Sequence, residues 1–145
     1  MVEKFIIYTD GGSRGNPGPG ALGIAICDKR EAVIKEYSHY LGEATNNEAE
    51  YEAVIFALKK IKALFGKIKA KNFEIEIRSD SQLLVQQLNG KYKILDKRIQ
   101  LLFLEIWNLK LDFNLVSFKL IPREKNNRAD RLVNEALNIR QQSIF

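Results

Sequence analysis

The stretch "ATNNEAEYEAVIFALKKIKALF", Ala44 to Phe65, is where the hydrophobic period of the chain changes. Upstream, apolar residues come in short β-branched blocks. From Asn46 to about Phe65 they recur at the 3.6-residue spacing of a helix. Ala53, Val54, Ala57, Leu58, Ile61, Leu64 and Phe65 form its apolar stripe. Glu50 lies three and four residues before Ala53 and Val54, so it is in register with that stripe at its N-terminal end. At about 100° per residue, Glu48 and Glu52 are turned about 200° from Glu50 and fall with Lys59 and Lys62 on the outer side. They read as solvated first-turn acids that suit the helix dipole. A carboxylate facing a core is costly unless it is paired or bound to a cation, which singles out Glu50.

Outward from this helix the chain divides cleanly. "FIIYT" (Phe5–Thr9) reads as a buried strand ending at Asp10, and "GGSRGNPGPG" (Gly11–Gly20) as a tight loop. "ALGIAICD" and "AVIKEYSHYLG" read as strands joined by a "DKRE" turn. Downstream, "NFEIEIRSD" alternates as a strand ending at Asp80, and "SQLLVQQLNG" is a short helix closed by Gly90. "DKRIQLLFLEIWNLK" is another helix, "NLVSFKLIP" a strand stopped by Pro122, and "NRADRLVNEALNIRQ" a terminal amphipathic helix. The order β-β-β-α-β-α-α-β-α implies an α/β fold with a mixed sheet covered by helices. A single domain over residues 1–145 is expected, with no linker or internal repeat.

Three further acids sit at element junctions like that of Glu50. Asp10 follows a strand and precedes glycines, Asp80 ends a strand before a helix, and Asp130 lies beside the apolar stripe of the last helix. Taken singly, Asp10 reads as an Asx-turn, Asp80 as part of a helix cap with Ser79 and Gln82 at capping-box spacing, and Asp130 as a partner of Arg128 or Arg131. If the four acids converged they would repel one another without a counter-ion. Hard divalent cations with oxygen ligands, Mg²⁺ above all, resolve that.

Composition narrows the chemistry. Hydrophobic residues make up 46% of the 145 and charged residues 28%, as in a soluble globular protein. No apolar run approaches the roughly 20 residues that span a bilayer, and "MVEKFIIYTD" is too short and acidic for a secretory leader. No membrane association and a reducing, cytoplasmic setting are expected. The one cysteine, Cys27, excludes a disulfide framework and reads as a buried hydrophobe. The one histidine, His39, has no G-x-S-x-G serine to serve. "GPGALG" (Gly18–Gly23) matches a dinucleotide-binding pattern but is followed by a strand instead of a helix. The net charge of +5 falls wholly in residues 81–145, with 11 Lys+Arg against 6 Asp+Glu. That half suits an anionic partner such as nucleic acid.

Four motifs, "YTDGGSRGNPGPGALG", "ATNNEAEYEA", "RSDSQLLVQQLNG" and "REKNNRADRLVNEA", resemble in order the signatures of type 1 ribonucleases H over nearly the whole chain. The resemblance implies the ribonuclease H-like fold, a five-stranded mixed sheet (three antiparallel strands plus two parallel) flanked by helices. It implies an endonuclease that hydrolyses the RNA strand of RNA–DNA hybrids with two divalent metal ions, Mg²⁺ with Mn²⁺ able to substitute. The expected products carry 5′-phosphate and 3′-hydroxyl ends. On this resemblance Asp10, Glu50, Asp80 and Asp130 are the catalytic metal ligands. One ion would activate the attacking water and the other stabilise the leaving oxygen, about 3.5–4 Å apart. Gly11, Gly12, Ser13, Asn16, Thr45, Asn46 and Asn47 match substrate-contacting positions, the glycines permitting approach of RNA 2′-hydroxyls. One of Asn46 and Asn47 could also cap the helix.

The sequence departs from the family in two places. Where many members carry a histidine before the last acid, Arg123 stands. Arginine stays protonated, so it would help through a phosphate and not as a base; alternatively it pairs with Glu124 on the surface. A basic protrusion looks absent, as does an N-terminal hybrid-binding module, with Lys91, Tyr92, Lys93, Lys97 and Arg98 standing in partly for the first. A monomer with weaker, less processive binding is expected. The alternatives are a DNA-cutting nuclease of the same fold and a catalytically silent nucleic-acid-binding domain.

Overall fold

The structure is a computed structural model that describes residues 2–144, with side chains described through Gln141. The elements are β1 (Glu3–Ser13), β2 (Gly18–Asp28), β3 (Val33–Ala44), α1 (Asn46–Phe65), α2 (Lys67–Ala70), β4 (Phe73–Ser79), α3 (Gln82–Leu88), α4 (Lys97–Lys110), β5 (Leu115–Leu120), a 3₁₀ turn (Arg123–Lys125) and α5 (Asn127–Ile144). The five strands form one sheet in the order β3-β2-β1-β4-β5. β1, β2 and β3 pair antiparallel, and β1, β4 and β5 pair parallel. The expected mixed sheet and α1, with its expected bounds, are therefore present.

Alternation along the strands sends one set of side chains to each face of the sheet. Phe5 and Ile7 of β1, Leu22, Ile24 and Ile26 of β2, and Ile75 and Ile77 of β4 share a core with α1, α3 and α4. On the opposite face a smaller cluster of Ala21, Val133, Ala136 and Leu137 seats α5. Alternating burial in β4 (Phe73, Ile75 and Ile77 in) follows the sequence pattern.

Two glycines set how closely the helices approach. A Cβ at Gly11 would lie 2.2 Å from the carbonyl carbon of Ala49 in α1, and one at Gly23 would lie 2.4 Å from the carbonyl oxygen of Ala129 in α5. Each helix thus presses its backbone on a bare strand, one residue before Glu50 and one before Asp130. The close approach at Gly11 is to α1, which gives this glycine a packing reason that the sequence reading had not assigned.

The sequence misplaced some boundaries. β1 does not end at Asp10 but continues to Ser13, and Gly11, Gly12 and Ser13 pair with Leu22, Ala21 and Gly20. The loop shrinks to residues 14–17, because the ladder is built from backbone N–H and C=O groups, which glycines supply as well as any residue. α2, a single turn after Gly66, was not anticipated.

Candidate active site

The parallel part of the sheet brings three functional residues to one edge. Tyr8 pairs with Arg78, and Ser79 with Leu120. Two residues past that first pair stand Asp10 and Asp80, and just past β5 comes Arg123. Ligands of open α/β sheets bind in the crevice beyond the carboxyl ends of such strands. Glu50 arrives from α1 and Asp130 from the first turn of α5. One surface pocket is lined by all four acids together with Gly11, Gly12, Ser13, Arg14, Asn46, Ser81, Arg123 and Asn134.

The electrostatics report how crowded the carboxylates are. Burial, then the charges of Asp80, Glu50 and Asp130, push the Asp10 carboxyl from its ordinary 3.8 up to about 8, against one hydrogen bond from the Gly11 N–H at 3.0 Å. Glu50 is pushed up to about 7, chiefly by burial and further by Asp80, while a hydrogen bond from Ser81 works the other way. Asp80 is also raised, again mainly by burial, and is eased by the Asn126 amide and the Arg123 charge. Buried like-charged carboxylates shift in this direction because the ionised form loses hydration and meets repulsion. Among the described residues, no three histidine, cysteine, aspartate or glutamate side chains already meet as a compact ligand cluster. The four acids instead share the wall of one pocket.

The simpler readings of Asp80 and Asp130 do not hold. Ser81, not Asp80 or Ser79, caps α3, its Oγ accepting from the Leu84 N–H at 3.2 Å. Arg128 and Arg131 pair with Glu36 and not with Asp130. Among the described residues Arg123 has no ion pair with Glu124; it is exposed and faces the pocket.

The outer acids of α1 are also placed. Thr45 caps the helix in a reciprocal box: its Oγ1 accepts from the Glu48 N–H at 3.1 Å, and the Glu48 carboxylate accepts from the Thr45 N–H at 3.0 Å. Arg98 pairs with Glu48 at 3.4 Å and Glu52 at 3.6 Å. Neither acid lines the pocket. They are partly buried and partnered, more than solvated dipole partners.

The polar positions split. Asn46 is no cap: its Oδ1 accepts from the Ser13 N–H at 2.9 Å and the Ser13 hydroxyl at 3.2 Å, tying α1 to the glycine loop. Asn16 accepts from the Asn46 N–H at 3.0 Å. Asn16, Thr45 and Asn47 do not line the pocket, and among the described residues the buried Oδ1 of Asn47 has no hydrogen-bond partner. Sequence reasoning missed Asn126. It is 1% exposed, donates to the Thr9 carbonyl at 2.9 Å and to Asp80, and so stitches β1 to the loop before α5. It also missed Ser81, although a serine directly after Asp80 and before an apolar helix is a cap signal.

The fold and the pocket define a class, α/β proteins that gather carboxylates at the carboxyl ends of the parallel strands of a mixed five-stranded sheet. A family model described as reverse transcriptase-like matches residues 8–136. Ribonuclease HI of Halobacterium salinarum is 40% identical over 131 residues, 90% of this chain and 63% of its own length. The bifunctional protein Rv2228c of Mycobacterium tuberculosis is 34% identical over 97% of this chain, which spans only 37% of that relative. LC11 ribonuclease H1, isolated from compost by a metagenomic approach, superposes with a TM-score of 0.88 at 46% identity, covering 97% of this chain and 99% of its own. That protein has also been solved in complex with an RNA/DNA hybrid, TM-score 0.89. The chain belongs to the ribonuclease H family.

Proposed function

We propose that this chain hydrolyses the RNA strand of RNA–DNA hybrids internally, giving 5′-phosphate and 3′-hydroxyl ends, with two divalent metal ions held by Asp10, Glu50, Asp80 and Asp130. The carrying observation is the convergence of four carboxylates from four elements on one pocket, two of them raised to about 8 and about 7. The donor set fits the ions. It offers hard carboxylate oxygens, no thiolate and no imidazole, which suits Mg²⁺, with Mn²⁺ as substitute. When bound, such ions supply a nucleophilic water and stabilise the leaving oxygen.

The chain's own residues do the positioning. Ser81 and Asn126 orient Glu50 and Asp80 by hydrogen bonds. The Ser13–Asn46–Asn16 network fixes the glycine loop beside the pocket, where its backbone meets a sugar–phosphate chain. Arg123, the cation nearest Asp80 in effect, holds a phosphate oxygen as a permanent charge. A DNA-cutting relative and a silent binder have no observation in their favour beyond the shared fold. The test is digestion of matched RNA–DNA, RNA–RNA and DNA–DNA duplexes with Mg²⁺. Loss of the RNA strand from the hybrid, with DNA–DNA intact, is the expected result, and equal cutting of DNA–DNA overturns the reading. Cytoplasmic location remains part of this proposal, to be checked by imaging the tagged chain.

A further inference from the structure

One face of α5 carries Asp130, Asn134, Asn138 and Gln141, spaced by four, four and three residues as a helical row requires. The last three converge on a single side chain of the glycine loop. Arg14 donates from Nη1 to Gln141 Oε1 at 2.5 Å, and from Nη2 to Asn138 Oδ1 at 2.7 Å and Asn134 Oδ1 at 3.5 Å. Asn134 also donates to the Asp130 carbonyl at 3.1 Å, so the row begins at a catalytic acid. Arg14 lines the same pocket as the four carboxylates.

The partners are what make this arrangement informative. Arg78, Arg98, Arg128 and Arg131 each pair with a carboxylate. Among the described residues Arg14 has no carboxylate within ion-pair distance, only neutral amide oxygens. Amides fix the guanidinium plane without cancelling its charge. Three of five donors are engaged, which leaves Nε–H and one Nη1–H for an incoming oxyanion. An ordered but uncompensated arginine at the rim of a nucleic-acid pocket is built for phosphate.

We propose that Arg14 binds a backbone phosphate of the hybrid, and that Asn138 and Gln141 on α5 are positioning residues that act through it. The proposal rests on the hybrid reading above and extends the substrate site to the C-terminal half of α5. The test is anisotropy of a labelled hybrid with the full chain in chelator, across a potassium chloride series. Arg14→Ala is expected to weaken binding about 5- to 10-fold and to lower the log–log salt slope by about one. Arg14→Lys should keep the slope and recover part of the affinity. Asn138→Leu should weaken binding in wild type but add little in the Arg14→Ala background, since it works only through that guanidinium. Wild-type affinity and slope in a folded Arg14→Ala protein overturn the proposal, as does full additivity of Asn138→Leu. A wild-type chain that binds no hybrid overturns the function itself, and this proposal with it.

Discussion

Replacing Asp10 by Asn should stabilise the metal-free protein, and the gain should depend on pH in a definite way. Burial first, and then the neighbouring carboxylates, push the folded carboxyl up to about 8 from an ordinary 3.8. Its folded pKa is raised, so its contribution to stability is fully present below about pH 4 and is lost as pH rises towards 8. At pH 7 the gap spans about three pK units, which at about 1.4 kcal/mol each sets an upper bound of roughly 4 kcal/mol. Asp10 is only half-buried at a pocket open to water, and screening brings the expected gain to about 1–2 kcal/mol. For a domain of this size that is roughly 3–6 °C in Tm. Asparagine keeps the acceptor for the Gly11 N–H, so the substitution removes charge without orphaning a donor. The assay is urea and thermal unfolding of both proteins in chelator at pH 5, 7 and 8.5. The gain should be small at pH 5 and largest at pH 8.5. A destabilised Asp10→Asn protein, or a difference independent of pH, would refute the crowding of carboxylates on which the metal reading rests.

Three further outcomes follow from the geometry. Glu50→Gln should reduce Mg²⁺-dependent hybrid cleavage at least about a hundredfold, whereas Glu48→Gln and Glu52→Gln retain most of it, because glutamine keeps the capping box and neither residue lines the pocket; steady-state kinetics on one hybrid checks this. Arg123→Ala should cost about tenfold or more in kcat, with partial recovery in Arg123→Lys, since a permanent cation acts on phosphate and not as a base; wild-type rates in the alanine variant would remove it from the site. Gly11→Ala should destabilise by about 3 kcal/mol or more, its Cβ set 2.2 Å from the Ala49 backbone, which denaturant unfolding measures.

The helical phase of residues 46–65 was enough to separate Glu50 from Glu48 and Glu52, because a buried stripe fixes which way every residue on a helix points. Asp10, Asp80 and Asp130 needed more. Each had a local explanation in sequence, and only the parallel register of β1 with β4 and the seating of α5 on Gly23 bring them to one pocket. Contacts between distant segments were the least legible. Nothing local marks Asn126 as the bridge between Thr9 and Asp80, and the row of amides on α5 looks like an ordinary polar face until the loop carrying Arg14 lies against it. The true extent of β1 was hidden for a similar reason: glycines signal turns by their freedom, but here Gly11 and Gly12 sit in a ladder with β2. The cap fell to Thr45 and not to Asn46 or Asn47, since all three are good caps and Asn46 is taken up by Ser13, 33 residues away.

The most direct test of the central claim is a time course on a hybrid whose RNA and DNA strands carry different end labels, with Mg²⁺ and with excess chelator. The four-carboxylate mechanism predicts internal cuts in the RNA alone, fragments bearing 5′-phosphate and 3′-hydroxyl ends, and complete arrest in chelator. RNA cleavage that continues in chelator, or fragments ending in a 3′-phosphate, would contradict it.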